Sequence, residues 1–155
     1  MRILWPFNKR LVQEPCFPVG QYRIDARIDG FRGLTPLSID ELAQLNRRVM
    51  FVGEQIWHAP DAQFMNMQWD TVLGTVENCI YKISAQWTGP RHEEGKAYRE
   101  IAVYCTKNYG RRKSGELALW DASDGNIVLD SRNIGSDAIL NLFLTSRKIR
   151  QFRRV

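Results

Sequence analysis

Four side chains able to bind a cation through oxygen fall close together between Leu119 and Asp130, in the stretch LWDASDGNIVLD. They belong to Asp121, Ser123, Asp124 and Asn126. Oxygen ligands of this kind suit Ca²⁺, whose helix–loop–helix motif reads D-x-[DN]-x-[DN]-G-x₅-E. Counted from Asp121, the fifth position is Gly125, the sixth is Asn126 and the twelfth is Arg132, so three defining positions fail. We therefore expect no metal between Asp121 and Asn126.

The same stretch is typical of a β-hairpin. An Asp-Gly pair between alternating apolar segments is a strong hairpin signal, because both central residues of a type I′ turn need positive φ. With Asp124 and Gly125 central, Trp120 would face Leu129, whereas a four-residue loop would keep the same faces in another register. We predict a hairpin that buries Trp120, Ile127 and Leu129.

The basic residues of the chain are concentrated at its end, in the segment 147–155. Its five cations are Arg147, Lys148, Arg150, Arg153 and Arg154, and it contains no acid. The whole net charge of +5 therefore belongs to this segment. Such a tail would bind phosphates of nucleic acid or a membrane surface, with affinity falling as salt rises, or it would be a solvated extension that aids solubility. The basic turn Arg111–Lys113 would reinforce a patch only if it lay beside the tail, and no helix-turn-helix, zinc-finger or RNA-recognition signature is present.

Large apolar side chains crowd the stretch WHAPDAQFMNMQW. They are Trp57, Phe64, Met65, Met67 and Trp69. If FMNMQW is one strand, alternation places Phe64 on the face opposite Met65, Met67 and Trp69. This arrangement predicts apolar surface on the outer side of the sheet. Such a surface would serve as a pocket wall or partner interface, since Trp and Met favour adaptable contacts. The alternative is core packing under the loop and the N-terminal arm.

The histidines and cysteines give little support for a catalytic site. Neither His58 nor His92 belongs to an H-x-x-H or H-E-x-x-H pattern, and no phosphate-binding glycine motif is present. A nucleophilic site of His58, Asp61 and Cys16, or of Cys105 and His92, requires residues to be chosen freely. The three widely spaced cysteines contain no C-x-x-C and predict neither a disulfide framework nor zinc. We expect no catalytic residue, cofactor or metal.

Hydrophobic periodicity indicates the elements that must position these residues. Alternating strands are predicted at 21–29, 54–58, 64–76, 78–87, 116–120, 126–130 and 138–146. In the strand 78–87 one face would carry Cys79, Tyr81, Ile83, Ala85 and Trp87, and Gly74 in the preceding strand predicts a bulge. A capping box at Ser38–Glu41 predicts a helix reaching Met50, and an apolar stripe predicts a second helix over Glu93–Tyr109, stopped by Gly110.

These elements predict an α+β fold in the order β-α-β-β-β-α-β-β-β, a single antiparallel sheet with two helices packed on one face. The predicted organisation is an N-terminal arm at 1–20, one domain at 21–146 and a basic C-terminal tail at 147–155. The pieces GLTPLSIDEL, YREIAVYCTKNYG and WDASDGN…LFLTSR resemble small bacterial domains built from repeated helix-plus-strands units, such as the small outer-membrane assembly lipoproteins. That resemblance implies a layout and no function.

Composition narrows the class of protein. Hydrophobic residues make up 44% and charged residues 25% of the 155 residues, which is close to the averages of globular proteins. No apolar run approaches the roughly 20 residues that span a bilayer. With no secretory signal pattern at the start, we expect a small bacterial-type protein in the cytoplasm. The sequence favours a non-enzymatic binding domain that uses the Trp57–Trp69 surface to hold a partner protein, a second copy in a dimer, or a small apolar ligand. A nucleic-acid-associated protein using the basic tail is the alternative, and an unrecognised enzyme is the third.

Overall fold

The computed structural model describes residues 17–155, so Cys16 and most of the predicted N-terminal arm lie outside the described residues. The strands are β1 (Thr35–Pro36), β2 (Glu54–Phe64), β3 (Met67–Val76), β4 (Cys79–Pro90), β5 (Ala118–Asp121), β6 (Gly125–Ile134) and β7 (Asp137–Ser146). The helices are α1 (Ile39–Gln44) and α2 (Arg91–Tyr109). All seven strands form one antiparallel sheet in the order β1-β2-β3-β4-β7-β6-β5. The predicted α+β class is confirmed, and the order of element types matches as well, although the first strand is Thr35–Pro36 and not the predicted segment 21–29.

The two helices lie on opposite faces of this sheet, in place of the expected packing on one face. Residues of α2 join the main core, which includes Leu73 of β3. Leu42 of α1 instead packs with Ile56 and Val72, whose side chains alternate away from Leu73 and its partner Trp57. Both faces need cover because β3 carries apolar residues at consecutive positions. We name them the α2 face and the α1 face.

The segment 21–29 was predicted as a strand and is instead irregular. Asp25 has a left-handed φ of 67°, which breaks an extended ladder. The segment still pairs locally with β4: the Asp25 N–H donates to the Ile80 carbonyl at 2.8 Å, and the Ile80 N–H donates to Ala26 at 2.9 Å. The buried side chains from this segment are Tyr22, Ile24 and Ile28, which extend the core of the α2 face. The alternation therefore predicted burial correctly and backbone conformation wrongly.

The first helix begins as predicted and ends early. The Ser38 N–H donates to Oε2 of Glu41 at 2.6 Å, and the Glu41 N–H donates to Oγ of Ser38 at 3.2 Å, which forms the capping box. The helix was expected to reach Met50 but stops at Gln44, because Asn46 takes a left-handed φ of 56°. Arg47 and Arg48 therefore lie in the loop that follows the helix.

The second helix forms close to its predicted bounds. Ile101 and Cys105 of the predicted stripe are fully buried, and Gly110 ends the helix with a φ of 98°. Burial raises the pKa of the Cys105 thiol to about 12, which keeps it protonated. Cys79 is half-buried at the start of β4.

The stretch 64–76 was predicted as one strand, but a hairpin turn at its start separates Phe64, the last residue of β2, from β3 (Met67–Val76). Met65 and Asn66 have φ values of 54° and 59°, and these two left-handed residues form the tight turn between β2 and β3. Phe64 pairs with Met67 across the turn. Because directly paired residues point to one side of a sheet, Phe64, Met67 and Trp69 all lie on the α2 face.

The hairpin over Leu119–Asp130 is confirmed. Asp121 pairs with Asn126, and the Ala122 N–H donates to the Gly125 carbonyl at 2.9 Å, so the loop has four residues. This is the second of the two registers that the sequence left open. The predicted core residues Trp120, Ile127 and Leu129 are all buried.

The segment 147–155 folds back onto the domain. A 3-10 helix spans Arg147–Gln151, and the Phe152 ring then packs against Phe51 and Tyr81, with centroids 5.5 and 5.4 Å away. A backbone hydrogen bond holds the residue that follows Phe152, because the Val52 N–H donates to the Arg153 carbonyl at 2.8 Å. The segment is thus a packed edge of the domain and not a solvated extension. Among residues 17–155, no helix has the length and apolarity needed to cross a membrane.

Candidate functional site

The aromatic and methionine cluster lies against the core. Trp69 is fully buried and its indole N–H donates to the Phe64 carbonyl at 3.2 Å, while Trp57 donates to Oγ1 of Thr75 at 3.0 Å. Half-buried members packed on the core are Trp57, Phe64, Met65 and Met67. The expected apolar surface on the outer side of the sheet does not form, because the hairpin turn places Phe64 and Met67 on the same face as Trp69.

The basic segment makes specific contacts with acids. Oδ2 of Asp121 lies 2.8 Å from Nζ of Lys113, and its Oδ1 lies 3.6 Å from Nη2 of Arg147. Asp121 therefore joins the turn Arg111–Lys113 to the start of the basic segment, and these cations, Lys113 first, hold the pKa of its carboxyl below the usual range. Lys148 pairs with Asp25 at 3.0 Å. After Lys148, the segment 147–155 has three further cations, all exposed: Arg150, Arg153 and Arg154.

Of the two nucleophilic combinations, that of Cys105 with His92 is not assembled. Cys105 is fully buried, whereas the His92 side chain is 81% exposed and lies 3.9 Å from Glu93. Cys16 lies outside the part of the chain that the structure describes.

A pocket that the sequence did not predict opens on the α1 face, between the loop after α1 and the strands β3 and β4. Its volume is about 280 Å³. Its ionisable lining residues are Arg47, Arg48, Glu54, Tyr81 and Lys82, and its apolar lining residues include Met50, Ile56 and Val72. We call this cavity the α1-face pocket.

A β-bulge creates the pocket's floor. The register between β3 and β4 shifts after Gly74, so Gly74 pairs with Lys82 and Thr75 pairs with Ile80. Tyr81, the extra residue, turns to the α1 face beside Lys82, whereas Ile80 enters the core. The predicted common face of Tyr81 and Ile83 is wrong for this reason.

Lys82 is the central charge of the pocket. It is half-buried on a central strand, and its Nζ lies 5.6 Å from the centroid of the Phe143 ring. Burial lowers the pKa of Lys82, the positive charge of Arg47 lowers it further, and Glu54 partly offsets both. Within residues 17–155, no carboxylate lies close enough to Lys82 to form a salt bridge.

Glu54 is the one carboxylate among the described lining residues, and hydrogen bonds hold it. Its carboxylate accepts from the Tyr81 hydroxyl at 3.1 Å and from the Met50 N–H at 3.1 Å. Burial and the adjacent Glu54 charge raise the pKa of Tyr81 well above its usual value, so the phenol remains a donor. The carboxylate is thereby committed to Tyr81 and the loop backbone, and three cations face one acid.

Sequence patterns could have indicated part of this site. Gly74 was recognised as the position of a bulge, whereas nothing in the sequence marked Arg47 and Arg48 as pocket residues. The direction of Tyr81 depended on which residue of β4 the bulge would expel, and alternation gives no signal for that choice.

Comparison of the chain with protein-family models, with curated proteins and with solved structures finds no match.

Proposed function

We propose that this chain is a non-enzymatic binding domain that holds a small organic anion, bearing a carboxylate or a phosphate group, in the α1-face pocket. The observation that carries the proposal is the half-buried Lys82, which shares the cavity with Arg47 and has no ion-pair partner among residues 17–155. Two like charges brought together in a partly desolvated cavity raise its energy. An anion between them would lower that energy, and this defines the expected charge of the ligand.

The pocket's chemistry supports an anion with a short apolar part. Lysine provides a compact point charge, and arginine provides a planar fork that matches carboxylate or phosphate oxygens. Met50, Ile56 and Val72 supply apolar wall. The volume of about 280 Å³ is at the lower limit of typical ligand pockets, which suits a small metabolite. The cationic lining therefore favours an anion, and not the purely apolar ligand that was expected from the sequence.

Calorimetric titration of the full chain with pentanoate and with inorganic phosphate tests this proposal. We expect one binding site for at least one of these probes, and a loss of roughly tenfold or more in affinity in Lys82→Met, because a hydrogen bond to a charged group contributes about 1.5–3 kcal/mol. Lys107→Met is the matched control, since it removes the same charge from an exposed position on α2. The proposal fails if neither probe binds, or if Lys82→Met binds as tightly as the unmodified chain.

Nucleic-acid binding is a second candidate, favoured by the contact of Asp121 with both Lys113 and Arg147. The basic turn and the basic segment form one cluster through this contact. The exposed cations of the cluster are Arg111, Arg112, Lys113, Arg147 and Arg150. Such a cluster would contact phosphates without reading sequence, with affinity falling steeply as salt rises.

Point substitutions test this second candidate better than removal of residues 147–155, because removal would also delete the packed ring of Phe152. A double variant Arg111→Ala with Arg150→Ala should weaken binding to single-stranded DNA and reduce its salt dependence. Arg99→Ala, an exposed position on α2, should change neither. Equal binding by the double variant and the unmodified chain would exclude this cluster as the nucleic-acid site.

A further inference from the structure

A second group of side chains able to bind a ligand lies outside the α1-face pocket. His58 is on β2, Asp70 is on β3, and Asp61 is on the β2 segment between them. Nε2 of His58 lies 2.6 Å from Oδ1 of Asp70, and one ligand atom from each of the three residues lies within 4.8 Å of the others. We propose that His58, Asp61 and Asp70 bind a divalent transition-metal ion, Zn²⁺ in the first instance, with the remaining coordination position open to water.

A β-bulge brings the three side chains together. Ala59 pairs with Thr71 and Ala62 pairs with Trp69, so two residues of β2, Pro60 and Asp61, face Asp70 alone. Proline favours this irregularity because it lacks the N–H that a regular ladder would use. Without the bulge, Asp61 would alternate to the face opposite His58. With it, a carboxylate from β2 reaches the face that carries His58 and Asp70.

The surroundings of Asp61 resemble the outer shell of a metal site. The side-chain amide of Gln68 donates to Oδ2 of Asp61 at 2.7 Å and so restrains the carboxylate. Hydrogen bonds of this kind orient metal-bound carboxylates and tune their affinity. Gln68 lies on β3, the strand that forms a hairpin with β2. One hairpin therefore supplies both the ligand Asp61 and the side chain that restrains it.

Coordination geometry is within reach of these side chains. Ligand atoms about 2.1 Å from a tetrahedral ion lie about 3.4 Å apart, so the side chains would move by about 1 Å or less each. Such adjustments are open to them because His58 and Asp70 have side chains that are 44% and 60% exposed. One imidazole with two carboxylates favours Zn²⁺, Co²⁺ or Ni²⁺ over Mg²⁺ and Ca²⁺, which prefer oxygen ligands alone.

Titration of the full chain with Zn²⁺, followed by calorimetry, tests the site. We expect one equivalent to bind, and affinity to fall by roughly tenfold or more in both His58→Gln and Asp70→Asn. The control is His92→Gln, which removes the other histidine from an exposed position and should leave affinity unchanged. Mg²⁺ should not compete. None of His58, Asp61 and Asp70 lines the α1-face pocket, so the result is separate from that of the anion titration.

Titration with Co²⁺ identifies the ligands by absorption. Oxygen and nitrogen ligation should give visible bands without the strong near-ultraviolet band of a thiolate bound to cobalt. A thiolate band would place the ion on a cysteine and overturn the proposal. Unchanged Zn²⁺ affinity in His58→Gln, or the lack of a one-to-one complex in the unmodified chain, would overturn it equally.

Discussion

Gly74 and Tyr81 are in close contact across the bulge between β3 and β4. A Cβ atom at position 74 would lie 2.8 Å from Cε1 of Tyr81, closer than side chains normally approach. The absence of a side chain at Gly74 thus makes room for the tyrosine ring on the α1 face. That ring in turn bonds Glu54 and contacts Phe51 and Phe152, so one glycine links the pocket's floor to the packed C-terminal segment.

Substitution Gly74→Ala should lower the free energy of unfolding by about 1–3 kcal/mol, since an added methyl group forces the ring or the strand to shift. Urea unfolding monitored by tryptophan fluorescence would measure the change. Gly30→Ala is the matched control: a Cβ atom there meets nothing within 4 Å, and we expect little change. Equal stability of the two variants would show that Tyr81 does not occupy the space beside position 74.

Substitution Phe152→Ala should also destabilise the domain. The half-buried ring stacks edge-on against Phe51 and Tyr81, so its loss removes apolar burial and two aromatic contacts, for an expected cost of about 2 kcal/mol. Thermal and urea unfolding would report it. Val155→Ala, at a residue 84% exposed, should be close to neutral. If Phe152→Ala matched Val155→Ala, the segment 147–155 would not be packed in solution.

The capping box of α1 predicts a pH dependence. Hydrogen bonds from Ser38, its backbone N–H first, hold the pKa of Glu41 below 4.5. A lowered pKa means that the folded chain is stabilised above the ordinary value and loses this contribution as the pH falls through the folded value. Nuclear magnetic resonance titration of the Glu41 carboxyl should therefore show a midpoint below 4.5. Ser38→Ala should raise that midpoint, whereas Ser114→Ala should not.

Substitution Lys82→Met should stabilise the ligand-free chain, by about 1 kcal/mol at neutral pH, because it removes a poorly solvated charge. The pKa of Lys82 is lowered in the folded chain, so its charged form costs stability below the folded value. This cost disappears as the pH rises past the ordinary value of 10.5. The advantage of Lys82→Met, measured by thermal unfolding, should accordingly shrink at high pH. A destabilised Lys82→Met would indicate that Lys82 is already well compensated without a ligand.

Much of the fold followed from local patterns. The capping box at Ser38, the apolar stripe around Ile101 and the turn beside Gly125 each determine structure within a few residues. The start of α1, the helix α2 and the hairpin were accordingly confirmed. Alternation also identified Tyr22, Ile24 and Ile28 as buried, although their segment is not a strand. Burial depends on which side chains face the core, and irregular backbone can satisfy that pattern as well as a strand can.

The candidate sites depended on irregularities that periodicity does not contain. One extra residue at Tyr81 and another near Asp61 reversed the side-chain directions that strict alternation predicts. The turn at Met65 and Asn66 likewise placed Phe64 and Met67 against the core of the α2 face, in place of the expected outer surface. In each case long-range strand pairing selected the register, and no local signal in the sequence specified it.

Chemical-shift mapping of the uniformly labelled chain during titration with pentanoate, or with inorganic phosphate, would show directly whether the anion binds in the α1-face pocket. The predicted result is a saturable set of shifts centred on Gly74, Lys82 and Ser84 together with the loop at Arg47, and a rise in the pKa of Lys82 as the anion binds. Shifts absent from these residues at saturation, or centred on the cations of the segment 147–155, would contradict an anion site in the α1-face pocket.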